Sequence, residues 1–208
     1  MPELSPDASP LLARVATLRQ AVAQRAPAPL AAATHTHFRA QAGGGVFEFA
    51  YFGAAAEFSF PACEARLAHS PALLPPLDQA MVVYYFHNAC GGPIAGQWVA
   101  FSELPEGRFY TQAFQSYTGA VLARRFGDDL ARFVQAAEQA GGRRFDLGDA
   151  AFAFLALPLA PLAVVAWQGD EEFPPSYRLL FDASAPRHLS TDTCAILGSM
   201  LTRRLVSW

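Results

Sequence analysis

The sequence predicts an α+β fold in which an antiparallel or mixed β-sheet packs against helices, preceded by an N-terminal amphipathic helix. Segments of alternating apolar residues cluster in two parts of the chain, and segments with helical spacing lie before, between and after them. The two kinds do not alternate one for one, as they would in a parallel βαβ fold. The chain is also 52% hydrophobic and only 16% charged, against about 25% charged in an average soluble protein. It can therefore fill a large core and still leave apolar surface for a ligand or partner.

The first element is a predicted helix. Apolar residues recur at helical spacing from Leu11 to Val22, which predicts an amphipathic helix over residues 10–25. Ser9 followed by Pro10 is typical of an N-cap and a first helical position.

A proline-containing segment follows this helix. We predict that "APAPLAAA", residues 26–33, is a linker, because its prolines prevent the helix from continuing. Residues 1–29 are then a helix with its linker, and residues 30–208 form a single α+β domain, as a length of 208 residues allows.

The first half of this domain is predicted to begin with a β-meander. "HTHF", "VFEFAYF" and "EFSF" alternate as strands do, and the glycines at 43–45 and 53 supply the turns. Residues 77–89 are apolar on nearly all sides, which predicts a buried helix. A short strand is expected at 97–101.

The second half is predicted to contain two helices, three strands and a closing helix. The two helices, 108–125 and 128–140, are separated at Gly127, with Asp128 as the N-cap of the second. "AFAFLAL", "LAVVAWQ" and "SYRLLFD" are the strands. Ser190 or Thr191 caps a final helix over residues 191–206.

Charge, hydropathy and cysteine content narrow the class of protein. A net charge of −3 leaves no basic surface for nucleic acid. The most apolar run, residues 150–167, contains two prolines and is shorter than the ~20 residues of a membrane-spanning helix. The N-terminus lacks the basic region of a secretory signal, and the three cysteines show no CxxC spacing. We therefore expect a cytoplasmic protein without a membrane span.

Three histidines and two tyrosines are the candidate ligand-binding residues. On a strand, His35 and His37 lie on one face and can share a metal ion or supply an axial haem ligand; the alternative is an exposed pair at a sheet edge. His87 follows Tyr84 and Tyr85 in the predicted buried helix. A haem needs a flat apolar slot with one nitrogen, which this helix can offer; the alternative is a histidine at the edge of the core.

An acidic segment is a further candidate site. "GDEE", residues 169–172, follows the end of a predicted strand, and clustered carboxylates can bind a divalent cation. The simpler interpretation is a rigid loop in which Asp170 accepts hydrogen bonds from backbone amides and Phe173 is buried, while Glu171 and Glu172 are solvated.

Three segments, in this order, carry a family resemblance. "GQWVAFSELPEGRFYTQAF", "LARRFGDDLARFVQAAEQAGG" and "PLAPLAVVAWQGDEEFPPSYRLLFDASAPRHLSTD" resemble an uncharacterised bacterial and archaeal family, domain of unknown function 3786, over roughly residues 30–206. Some members are associated with an iron–sulfur domain similar to that of corrinoid iron–sulfur proteins, which implies tetrapyrrole or redox-cofactor chemistry. This chain has no cysteine-rich segment, and three scattered cysteines cannot hold a cluster within one chain.

The leading hypothesis is a cytoplasmic binding protein for a small, flat, apolar cofactor, with haem or another tetrapyrrole as that cofactor. Binding is favoured over catalysis because the chain lacks a nucleophile elbow, a P-loop and a dinucleotide fingerprint. One alternative is a protein–protein interaction module or accessory subunit that forms a homodimer or binds a redox protein. The other is an enzyme with a metal ion bound by the acids of residues 169–172.

Overall fold

Two antiparallel β-sheets and the helices packed against them build the protein, which confirms the predicted α+β class. The computed structural model describes residues 9–208. In this range there are seven α-helices, which are α1 (Ser9–Ala23), α2 (Pro27–Thr34), α3 (Pro76–Asn88), α4 (Gly107–Tyr117), α5 (Gly119–Phe126), α6 (Leu130–Gln139) and α7 (Thr191–Val206). The nine strands in the same range are β1 (His37–Gln41), β2 (Gly44–Tyr51), β3 (Ala54–Phe60), β4 (Ala65–Leu67), β5 (Trp98–Ala100), β6 (Arg143–Phe145), β7 (Ala150–Leu157), β8 (Ala160–Trp167) and β9 (Ser176–Asp182). Single 3-10 turns lie at Phe101–Glu103 and Ala185–Arg187.

The first sheet is the predicted meander, with strand order β1-β2-β3-β4. Helix α3 packs on it through Phe86, whose ring centroid lies 4.3 Å from that of Phe58 and 5.1 Å from that of Phe47. The Gln79 side chain of α3 donates to the Ala65 carbonyl at 2.6 Å and accepts from the Ala65 amide at 2.9 Å. The buried helix therefore supplies both the apolar cover of the sheet and the hydrogen bonds that hold its last strand.

The second sheet is strongly curled. Its strand order is β5-β9-β8-β7-β6, so Trp98 and Phe145 lie on opposite edge strands. Their rings nevertheless stack, with centroids 5.6 Å apart. On the concave face between them the strands β7 and β8 carry small side chains, and Ala151, Ala163 and Val165 are fully buried. Small residues there allow the two edges to approach each other, which makes a minor core under the stacked rings.

Helices α4 to α7 cover the other face of this sheet. The ring of Phe133 in α6 lies 5.3 Å from Tyr177 and 5.8 Å from Phe152, and Phe114 in α4 lies 5.8 Å from Phe181. The two sheets meet where β2 lies against β7, and the Phe52 amide donates to the Ala156 carbonyl at 3.0 Å. One continuous apolar core thus connects both sheets with α1, α3 and α7.

The structure corrects the prediction that residues 26–33 are a linker. They form most of α2, with Pro27 in its first turn. Proline is tolerated there because the first helical amide groups have no intrahelical acceptor. Helix α1 ends at Ala23, as the prolines indicated, but a second helix starts at once. The domain boundary near residue 30 stays a prediction.

Smaller differences concern the middle of the chain. The helix predicted over 108–125 is divided at Thr118, whose backbone angles, φ −120° and ψ −92°, are not helical. The next residue, Gly119, lies so close to the Tyr177 carbonyl that no side chain fits there. Asp129, and not Asp128, caps α6 by accepting from the Arg132 amide at 3.0 Å. The strands β4 and β6 were not predicted, since three residues are too few to show a period.

The remaining elements agree with the sequence. Ser190 caps α7, one of the two residues expected to do so. The side chain of Ser9, the predicted N-cap of α1, lies outside the described residues. No helix in residues 9–208 combines the length and the apolar character needed to cross a membrane.

Candidate functional site

The structure does not place His35 and His37 on one strand face. His35 ends α2 in the left-handed conformation, with φ 48°, and His37 is the first residue of β1. The prediction of a shared face is therefore wrong, because the helix extends to Thr34 and turns the chain between the two histidines. His37 is exposed, and its Nδ1 atom lies 3.2 Å from the Glu48 carboxylate.

The aromatic helix α3 places its three candidate residues in different surroundings. Tyr84 and Tyr85 are buried, and their hydroxyls donate to the carbonyls of Leu11 at 3.2 Å and Thr34 at 2.7 Å. His87 is exposed, and its Nδ1 atom lies 2.7 Å from the Asn88 side-chain oxygen. The two tyrosine rings are packed in the core and do not form a slot beside His87. Haem binding at this helix stays a prediction that the placement of these side chains does not support.

The acidic loop is organised by Asp170, in agreement with the simpler interpretation. Its carboxylate accepts from the amides of Glu172 at 2.9 Å and Phe173 at 2.7 Å, and these two hydrogen bonds lower the pKa of Asp170. Glu171 and Glu172 are exposed. Phe173, which we expected to be buried, is 66% exposed. In residues 9–208 no three histidine, cysteine, aspartate or glutamate side chains converge as a metal ion requires.

An apolar cleft of about 460 Å³ lies elsewhere, between α1, α4 and α7. Two close contacts hold its walls together. Gly198 lets α7 approach α4, since an added Cβ atom would lie 2.8 Å from the Phe114 ring. The Thr191 hydroxyl donates to the Pro105 carbonyl at 2.6 Å, which ties the start of α7 to the loop before α4. The cleft is lined by Pro10, Leu11, Phe101, Tyr110, Ala113, Tyr117, Asp192, Ala195 and Ile196.

Aromatic rings form one side of the cleft. Phe101 stacks face to face on Phe114, with centroids 4.1 Å apart and planes at 11°. Tyr117 meets the same Phe114 edge-on at 5.7 Å. Tyr110 is 60% exposed at the rim. Phe114 therefore holds two of the three rings in place, and small-molecule sites usually have such preformed walls.

Asp192 is the polar feature of the cleft. It lies in the first turn of α7, where the positive end of the helix favours a carboxylate. Its side chain makes no hydrogen bond or ion pair within the described part of the chain. Burial, together with the Asp192 charge, raises the pKa of Tyr117 to about 12. The cleft therefore combines an apolar body with one unpaired negative charge.

A second apolar cavity, of about 490 Å³, lies at one end of the concave sheet face, beside Trp98 and Leu155. The carboxylate that lines this cavity, that of Asp182, already accepts four hydrogen bonds from the protein. It accepts from the amides of Ala95 at 2.8 Å, Gly96 at 2.7 Å and Ser184 at 2.9 Å, and also from the Ser184 hydroxyl. Burial alone would raise the pKa of Asp182, but these hydrogen bonds outweigh it and lower the pKa. Asp182 therefore serves to hold the loop at 89–97, whereas Asp192 is free to meet a ligand.

His188 is buried beside this loop. It is 0% exposed, and neither ring nitrogen has a hydrogen-bond partner among residues 9–208. Burial, with the neighbours His35 and Arg187, lowers the pKa of His188, and the Gly92 backbone and Asp182 oppose this only in part. Burial therefore favours the neutral imidazole, and the Gly92 backbone lies near the ring without a well-formed hydrogen bond to either nitrogen.

Sequence reasoning missed the cleft because its residues come from α1, the 3-10 turn at 101–103, α4 and α7, which are far apart along the chain. One feature of the sequence does indicate an exposed aromatic surface in this region. Phe109 and Tyr110 are neighbours in α4, and two adjacent helical residues cannot both face the core. Phe109 is in fact 84% exposed and Tyr110 60%.

Comparison with known proteins gives one match. No curated protein and no solved structure matches the chain significantly. The family model described as "Domain of unknown function (DUF3786)" matches residues 27–204, which is most of the chain. The match includes every strand of both sheets, all of α4 and most of α7. The protein belongs to the family of domain of unknown function DUF3786.

Proposed function

We propose that the protein binds a small, largely apolar molecule in the cleft between α1, α4 and α7. The observation that carries the proposal is the preformed aromatic wall of Phe101, Tyr110 and Tyr117 around a volume of about 460 Å³. Volumes of roughly 300–1,000 Å³ with mostly apolar walls and a few polar groups are typical of ligand sites.

A tetrapyrrole has less support in this cleft than a smaller ligand. The cleft offers no histidine, so a tyrosine phenolate would have to bind the iron. The raised pKa of Tyr117, about 12, disfavours a phenolate at that position. The Asp192 carboxylate would also repel the negatively charged propionates of a haem. We therefore favour a ligand without metal chemistry.

Fluorescence of a neutral apolar dye, N-phenyl-1-naphthylamine, tests this proposal. The dye should bind with a blue-shifted, stronger emission, because the cleft replaces water by aromatic surface. Ala113→Trp should fill the cleft and abolish binding, since Ala113 is an exposed lining residue whose enlargement does not disturb the core. Ala131→Trp, the same change on the exposed side of α6, should leave binding intact.

Two outcomes of this experiment contradict the proposal. One is that the unaltered protein does not bind the dye. The other is that the Ala113→Trp and Ala131→Trp proteins bind it equally well, which would place the dye elsewhere on the surface.

Phe109 favours a second candidate function, which is self-association of the chain. It is 84% exposed, next to Tyr110 at the rim, and does not itself line the cleft. Large exposed aromatic side chains are enriched at protein interfaces. Sedimentation velocity should then show a dimer that Phe109→Ser disrupts, and a monomer over the whole micromolar range would rule out this candidate.

A further inference from the structure

We infer that the ligand of the α1/α4/α7 cleft carries a positive charge, as an amine or another organic cation does. The inference rests on the proposed binding function and specifies its ligand class. It follows from the charge of the residues that line the cleft and from the aromatic rings in its wall.

The charge of the lining is negative and uncompensated. Among the nine lining residues, Asp192 is the one acidic residue, and none is basic. Arg14 is close enough to influence the Tyr84 hydroxyl, as Asp192 is, but it does not line the cleft. No ion pair joins Arg14 to Asp192 in the described residues. A bound cation would therefore give Asp192 an ion-pair partner, which no side chain in the described residues provides.

The aromatic wall favours the same charge. The π-faces of phenylalanine and tyrosine rings are electron-rich and attract cations within about 6 Å of their centroids. Phe101, Tyr110 and Tyr117 border the same volume as Asp192. Recognition of ammonium groups by several aromatic rings and one carboxylate follows from this combination.

The field of Asp192 reaches the wall of the cleft. Burial is the larger cause of the raised pKa of Tyr117, and the negative charge of Asp192 is the second cause, so the two side chains interact electrostatically. The same field repels an anion placed between them. A carboxylate-bearing ligand is thus disfavoured at the position where an ammonium group is favoured.

A charge series on one apolar body tests the inference. 4-Phenylbutylamine, 4-phenylbutan-1-ol and 4-phenylbutyrate differ in charge and little in shape, and each can be titrated against the protein by displacement of N-phenyl-1-naphthylamine at low salt. The amine should bind roughly five- to tenfold more tightly than the alcohol, and the carboxylate more weakly than both. High salt should reduce the advantage of the amine.

Asp192→Asn isolates the charge. Asparagine is nearly isosteric and Asp192 is exposed, so folding should be preserved, which a thermal melt checks. Amine affinity should fall to the level of the alcohol, while alcohol affinity changes less than about twofold. Asp146→Asn, at an exposed acid outside the cleft, is the matched control and should have no effect.

The outcomes separate the inference from the proposed function. If the alcohol binds as tightly as the amine, or if Asp192→Asn weakens all three compounds equally, the cleft binds apolar molecules but the inference is wrong. If neither the dye nor any of the three compounds binds, both the proposed function and the inference are wrong.

Discussion

Replacing the buried histidine should stabilise the protein. His188 is fully buried, and neither ring nitrogen makes a well-formed hydrogen bond among the described residues, although the Gly92 backbone lies near the ring. A buried polar group without a hydrogen bond costs about 1–3 kcal/mol. Leucine has a similar volume and no polar atom, so His188→Leu should increase the free energy of unfolding by about 1–2 kcal/mol at pH 7.5 after some loss in packing. This corresponds to a rise in Tm of roughly 2–8 °C for a chain of this length.

The pH dependence makes the prediction sharper. The pKa of His188 is lower in the folded protein than its ordinary value of 6.5, because burial and the neighbours His35 and Arg187 disfavour the charged ring. Below pH 6.5 the unfolded chain therefore binds more protons at this position than the folded chain does, and stability falls as the pH falls. The advantage of His188→Leu should grow between pH 7.5 and pH 5.5, since leucine takes up no proton.

Urea unfolding at both pH values measures these effects. His69→Leu, at an exposed loop histidine, is the matched control and should leave the pH dependence unchanged. A His188→Leu protein that is less stable than the original at both pH values would refute the reasoning. It would show that His188 makes a compensating polar interaction in solution.

Two further predictions concern the core around Phe86 and the loop that Asp182 holds. Phe86→Ala should lower the free energy of unfolding by about 3–5 kcal/mol, because it would leave a cavity between Phe47 and Phe58. The control Phe109→Ala, at an exposed ring, should change the free energy of unfolding by less than about 0.5 kcal/mol. Equal losses for the two variants in urea unfolding would contradict this prediction. Asp182→Asn should destabilise the protein at pH 7 by about 2–4 kcal/mol through the lost charge-assisted hydrogen bonds. Because the pKa of Asp182 is lowered in the folded protein, the stability difference between the original protein and Asp182→Asn should be present above pH 3.8, the ordinary pKa of the group. It should vanish as the pH falls through the pKa of the folded protein. A stability difference that persists at the lowest pH would disprove this role of Asp182.

Long elements with a clear period could be predicted from the sequence. Helix α3 is apolar on all sides and is buried on all sides, and strands β7, β8 and β9 lie where the alternating segments indicated. The cap of α7 at Ser190 followed from the preference of helix starts for a side-chain oxygen. In each case the signal is local, so neighbouring residues are sufficient to show it.

The failures have tertiary causes. The prolines of residues 26–33 indicate either a linker or the first turn of a helix, and the packing of α2 on α3 decides for the helix. The spacing of His35 and His37 predicts one strand face only if both lie on a strand, and the end of α2 at Thr34 prevents this. The cleft depends on Gly198 bringing α7 onto Phe114, a contact between residues 84 positions apart that no periodicity reveals. Family membership, by contrast, was visible in the sequence, since three ordered segments carried it.

The contact between Trp98 and Phe145 also affects how the protein behaves at high concentration. An open sheet exposes the unpaired N–H and C=O groups of its two outer strands, where a strand of another molecule can add. Here both outer strands have only three residues, and the ring contact draws them together over the concave face. A strand added on either side would find a short template and would have to separate the rings. This sheet should therefore resist edge-to-edge aggregation.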